Sequence, residues 1–137
     1  MDRIGTDQSA VDRRSGLWIA LSDLYVDTEL DRSSLQAIAR RGRSSGFTLD
    51  EMRRIDRYEV APLLYRNLLN PAGVWEGFKA EWIVAALTAR YRRRTWRLKG
   101  LLLAPLTRSA TRDYWHAIES AYAELEGGAT DGRQASR

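Results

Sequence analysis

Asp27 and Glu29 in "DTEL", and Glu59 in "YEVAP", are the carboxylates whose settings bear on chemistry. Glu59 falls angularly between Met52, Ile55 and Leu63, on a face that helical periodicity would bury. An ionised carboxylate taken out of water needs a partner. Two outcomes are open. Three carboxylates from separate segments can converge on a hard cation or act as an acid/base pair with one pKa raised. The more ordinary outcome is an arginine partner or a set of capped backbone amides. Asn67 and Asn70 read as turn or capping groups.

Other routes to catalysis find little support. The chain has no cysteine, which excludes disulfides, thiolate metal sites and thiol nucleophiles. The only histidine, His116 in "YWHAIES", has no serine or cysteine context that would make a triad, and it reads as structural. No GxSxG, P-loop or GxGxxG occurs, so hydrolase, NTPase and dinucleotide-binding readings lack a motif. The expectation is a protein that is not an enzyme and holds no cofactor and no metal.

The charge is more informative. "RYRRRTWRLKG", residues 90–100, holds five arginines, one lysine and two large aromatics without an acid. From Trp82 to Arg112 there are eight basic residues and no acidic one, whereas the rest of the chain has 14 basic against 18 acidic residues. On one continuous helix, Arg90, Arg93, Arg94 and Arg97 would share an arc of about 100°. Trp82, Ala85, Ala89 and Trp96 would form a weaker apolar strip beside them. Guanidinium and indole offered together suit an acidic protein surface or phosphates with stacked bases. The plain alternative is a solvated helix end, where the macrodipole favours cations and arginine stems cover apolar surface.

The elements that must position these residues are helical almost throughout. Leu17, Trp18, Leu21, Leu24 and Tyr25 mark one face of a first helix ending near Asp27. Leu35, Ile38 and Ala39 mark a short second helix, opened by Asp31 or Ser33 and closed by "GRSSG". "FTLDEM" predicts a capping box between Thr48 and Glu51, with Phe47 stapled onto Met52. The third helix then starts at Leu49 and is interrupted or kinked near Pro62. A further helix runs through residues 78–99 to a stop at Gly100, "LLLAPL" crosses the core edge, and a last helix carries Tyr114, Ile118, Tyr122 and Leu125. The fold predicted is all-α, a single-domain irregular bundle of five to six helices over residues 13–126, with a mobile tail at 1–12 and a disordered one at 127–137.

The elements "DTEL" (Asp27 to Leu30), "EVAP" (Glu59 to Pro62), "NLL" (Asn67 to Leu69) and the turn of Trp75, Gly77 and Phe78 ahead of Trp82 occur in a fixed order. With Trp18 before them, they resemble an uncharacterised family of small bacterial helical proteins, a domain of unknown function. The resemblance covers about Leu17 to Ile83. Val74 stands where the pattern has a glutamate, and the arginine-rich region after Ile83 lies outside it. The resemblance implies a bacterial source and a helical fold, and supplies no activity.

The functional expectation is a protein-binding domain, for instance an immunity protein that neutralises a bacterial toxin. Its partner face would be Arg90, Arg93, Arg94, Trp96 and Arg97. The alternative is a nucleic-acid-associated protein using the same basic segment. The opening residues are charged and no stretch approaches the ~20 apolar residues that span a bilayer, so the expected location is the cytoplasm, with no membrane contact.

Overall fold

The computed structural model describes residues 2–25, 30–69, 79–91 and 96–135. Helix α1 spans Asp2–Ser22 and passes into a single 3-10 turn, Asp23–Tyr25. Helices α2 (Arg32–Ser44) and α3 (Leu49–Ile55) follow, and a π-helical turn, Asp56–Val60, joins α3 to α4 (Ala61–Leu69). Helix α5 (Ala80–Tyr91) precedes α6 (Trp96–Ala135). No strand occurs among the described residues. The protein is a single-domain, all-α bundle. Helix α6 packs along α2, the π turn and α4, while α1 packs along α5 and α2.

Local chemistry sets several boundaries. Asp31 caps α2, its carboxylate accepting from the Ser34 N–H at 2.8 Å. Gly46 leaves that helix with φ +82°, the left-handed region that a side chain rarely enters. Thr48 and Glu51 complete the capping box of α3: the Glu51 N–H donates to Thr48 Oγ1 at 3.1 Å and the Thr48 N–H to Glu51 Oε1 at 3.0 Å. Phe47 and Met52 are both buried.

The interruption near Pro62 takes a particular form. In a regular α-helix the Pro62 ring would meet the Tyr58 carbonyl. The chain instead widens by one residue, so that the Ala61 N–H reaches back five positions to the Asp56 carbonyl. Buried Val60 and Ala61 keep this turn against the core.

The C-terminal half departs from expectation. Helix α5 is described as far as Tyr91, and Gly100 lies inside α6 rather than ending a helix. "LLLAPL" is part of α6 too, with Pro105 in the helix interior. Proline is tolerated there because the carbonyl left without a donor belongs to Leu101, and both residues are on the exposed side. At the chain ends, helix extends beyond residues 13–126, from Asp2 and as far as Ala135, and the core begins at Val11, which is 3% exposed.

The largest fully buried side chains are Trp18, Tyr25 and Phe47, surrounded by Leu17, Leu21, Leu24, Ile38, Met52, Ile83, Leu87 and Ile118. Helix α2 meets α3 at Gly42, where a Cβ would sit 2.3 Å from Met52 Sδ. A larger residue there would require the Met52 side chain to shift. The π turn itself packs against α6, α3 and α4, and its two carboxylates face opposite parts of the bundle.

Candidate functional site

Glu59, on the π turn, is held by α1. Its Oε1 accepts from Trp18 Nε1 at 2.9 Å and lies 3.3 Å from Arg14 Nε. The half-buried carboxylate therefore has the arginine partner that its position calls for. Asp27 and Glu29 lie outside the described residues, and among the described residues no cluster of three or more acidic or histidine side chains is arranged to hold a metal ion.

Three positions earlier on the same turn, Asp56 is the group that sequence reasoning missed. It is buried, its Oδ1 accepting from the Tyr25 hydroxyl at 2.7 Å and its Oδ2 from Trp115 Nε1 at 2.9 Å. Burial pushes its pKa up from the usual carboxylate range to about 6, against the lowering effect of those two donors and of Arg57. Tyr25 is raised well above the usual tyrosine value, by its own burial and then by the neighbouring Asp56 charge. A signal was available: Asp56 is four residues after Met52, at the edge of the helical arc that singled out Glu59.

The π turn thus presents two carboxylates, each accepting from an indole, Glu59 toward α1 and Asp56 toward α6. Both Asp56 oxygens are occupied by donors, so this carboxyl acts as an anchor between the 3-10 turn, the π turn and α6. It is poorly placed to pass its proton to a substrate.

Beside Asp56 a cleft of about 280 Å³ opens to solvent, lined by Arg53, Arg57, Arg108, Arg112, Trp115 and His116. Arg53 is spoken for: its guanidinium lies 2.9 Å from Glu119 and 5.9 Å from the Trp115 ring centre. Arg57, Arg108 and Arg112 form no ion pair with any described residue. Arg57 lies 5.9 Å from the ring centre of Tyr58 and acts on the buried Asp56 carboxylate through its charge, without an ion-pair contact.

The α6 side of this cleft belongs to a longer stripe. At helical spacing Leu101, Pro105, Arg108, Arg112 and His116 share an arc of about 80°, directly beside the buried face of Ala104, Thr111 and Ile118. Leu101, Leu102 and Leu106 are 59%, 80% and 57% exposed. The stripe is apolar at its start and cationic two turns later.

The predicted cationic face of residues 90–97 falls largely outside the described residues. Arg90 is in the last turn of α5 and half-buried, its guanidinium pulled below the usual arginine value by desolvation. Arg97 is in the first turn of α6, and residues 92–95 between it and α5 lie outside the described residues. Arg93 and Arg94 lie outside the described residues, as do the side chains of Trp96 and Arg97.

No helix among the described residues is long and apolar enough to cross a membrane. The model of one protein family, a domain of unknown function (DUF7079), matches residues 12–121. No curated protein and no solved structure matches the chain.

Proposed function

The chain belongs to the DUF7079 family, whose function is unknown, and from that premise we propose that it is a non-enzymatic domain that binds an acidic partner protein along the exposed stripe of α6. The observation that carries the reading is the stripe itself. Leu101 and Pro105 begin it, the exposed Leu102 and Leu106 flank it on the neighbouring face, and the guanidiniums of Arg108 and Arg112, which form no ion pair with any described residue, continue it. Exposed leucines grouped on one helix are a hallmark of protein-interaction surfaces, and arginine is the cation best suited to interfaces. Helix α6 is held by its packing on α2, the π turn and α4, so the stripe is presented without first having to be ordered.

In its more specific form, the domain acts in the bacterial cytoplasm as an immunity protein whose α6 stripe meets an acidic face of a toxin. Basic charge on the domain and acid on the partner would speed encounter and set orientation.

The experiment is co-purification of the tagged full chain from its host, beside Arg108→Glu/Arg112→Glu and Leu102→Asp/Leu106→Asp variants. One stoichiometric protein, identified by mass spectrometry and lost from both variants, is the expected result. Recovery of nucleic acid that disappears only with the arginine reversals, and steeply with salt, would replace this reading with the nucleic-acid one.

A further inference from the structure

We infer that the cleft between the π turn and α6 is a binding site for one tetrahedral oxyanion, the group that a phosphate ester carries; this rests on the same arginines as the docking surface above and specifies what they grip. Three guanidiniums, from Arg57, Arg108 and Arg112, line one concavity, form no ion pair with any described residue, and share it with a single carboxylate, the buried Asp56. Guanidinium forks match oxyanions bidentately. Arg53 is already paired with Glu119 and contributes wall rather than free charge.

Charge and size narrow the ligand. Setting the Asp56 carboxylate against those three arginines leaves two positive charges, which a single carboxylate would not balance and a phosphate- or sulfate-like dianion would. A volume of about 280 Å³ admits such a group with its first substituents and no nucleic-acid duplex.

Asp56 also gives the site a signature that a diffuse basic surface lacks. The ionisable groups around it are Tyr25 from the 3-10 turn, Arg53 from α3, Arg57 from its own turn, and Arg108, Arg112 and His116 from α6. An anion seated among these arginines makes the neighbouring carboxylate harder to keep ionised, so binding draws a proton onto Asp56. Affinity then rises as pH falls.

The test uses sulfate, which keeps its charge across the range, with sodium chloride holding ionic strength constant. Trp115 Nε1–H is a built-in reporter, because it donates to Asp56 in the cleft wall; its NMR signal is assigned from its loss in Trp115→Phe. Sulfate is expected to shift this signal saturably, with affinity about tenfold weaker in Arg108→Gln/Arg112→Gln. Between pH 7.5 and 5.5 affinity should rise severalfold in a His116→Gln background and stay flat when Asp56→Asn is added.

A linear, chloride-like response, or one unaltered in the double arginine variant, would overturn the site. Circular dichroism of each variant excludes unfolding as the cause. If sulfate binds, a phosphoserine peptide is compared with inorganic phosphate: tighter binding of the peptide assigns the oxyanion to a partner's side chain, and equal binding assigns it to a free ligand. Failure with sulfate leaves the protein-docking reading standing, and failure to find a protein partner leaves the anion site standing.

Discussion

Trp115 and Asp56 stand 59 positions apart in the chain and are joined by an indole-to-carboxylate hydrogen bond of 2.9 Å. The bond ties the middle of α6 to the π turn, and Tyr25 ties the same carboxylate to the end of α1 at 2.7 Å. Three segments therefore meet on one buried acid. Its protonation bears on stability as well as on the neighbouring cleft.

The pH dependence follows from the direction of the shift. Asp56 titrates at about 6 in the folded protein and near 3.9 when unfolded, so between these values the folded state binds the extra proton. Its stabilising contribution is complete below the unfolded value and is lost as pH rises through about 6, to an extent of about 3 kcal/mol. Urea midpoints at pH 5 and 7.5 should show this slope in the parent and a flatter one in Asp56→Asn. The amide can accept from Trp115 and donate to Tyr25, and it does not titrate. Equal slopes in the two proteins would contradict the assignment.

Glu59 gives a paired comparison. Glu59→Gln keeps an acceptor for Trp18 Nε1 while removing the charge opposite Arg14, and should cost under about 1 kcal/mol. Glu59→Ala strands the indole N–H of a fully buried tryptophan and should cost about 2 kcal/mol. Equal losses by chemical denaturation would mean that the hydrogen bond to Trp18 is not what Glu59 contributes.

Gly42 tests the contact between α2 and α3. A methyl group there would lie 2.3 Å from Met52 Sδ and 2.4 Å from its Cε, and Met52 is fully buried. Gly42→Ala should lower stability by about 1–3 kcal/mol through overpacking. Adding it to Met52→Ala should cost much less than adding it to the parent, a coupling that a double-mutant cycle reads directly. Additive losses would place the strain elsewhere.

Much of the fold is legible in the chain because the forces that start and stop helices act over a few residues. The Thr48–Glu51 box, the Asp31 cap, one of the two residues expected to open α2, and the end of α2 within "GRSSG" each depend on neighbours in sequence, and the left-handed conformation of Gly46 completes that exit. Glu59 was legible as an inward carboxylate for the same reason, although nothing local identifies Arg14 and Trp18 as what it meets.

The C-terminal half was less legible because proline and glycine act there against the local rule. Pro105 stays helical because its orphaned carbonyl faces water, and whether a helix face is wet depends on what packs against the other side. Segregating arginines by position along the chain likewise could not locate the cleft, since Arg57 joins Arg108 and Arg112 only when the π turn lies along α6.

The amino-acid sequence by itself determined an all-helical domain, most of its caps, the break before Pro62 and the need to satisfy a carboxylate on the buried face of the third helix. Tertiary structure alone decided that Asp56 would be buried between Tyr25 and Trp115, and which guanidiniums would line the cleft beside it. The reason is range: capping and periodicity are settled within a turn or two, whereas desolvation and ion pairing depend on segments that approach only after the helices have packed.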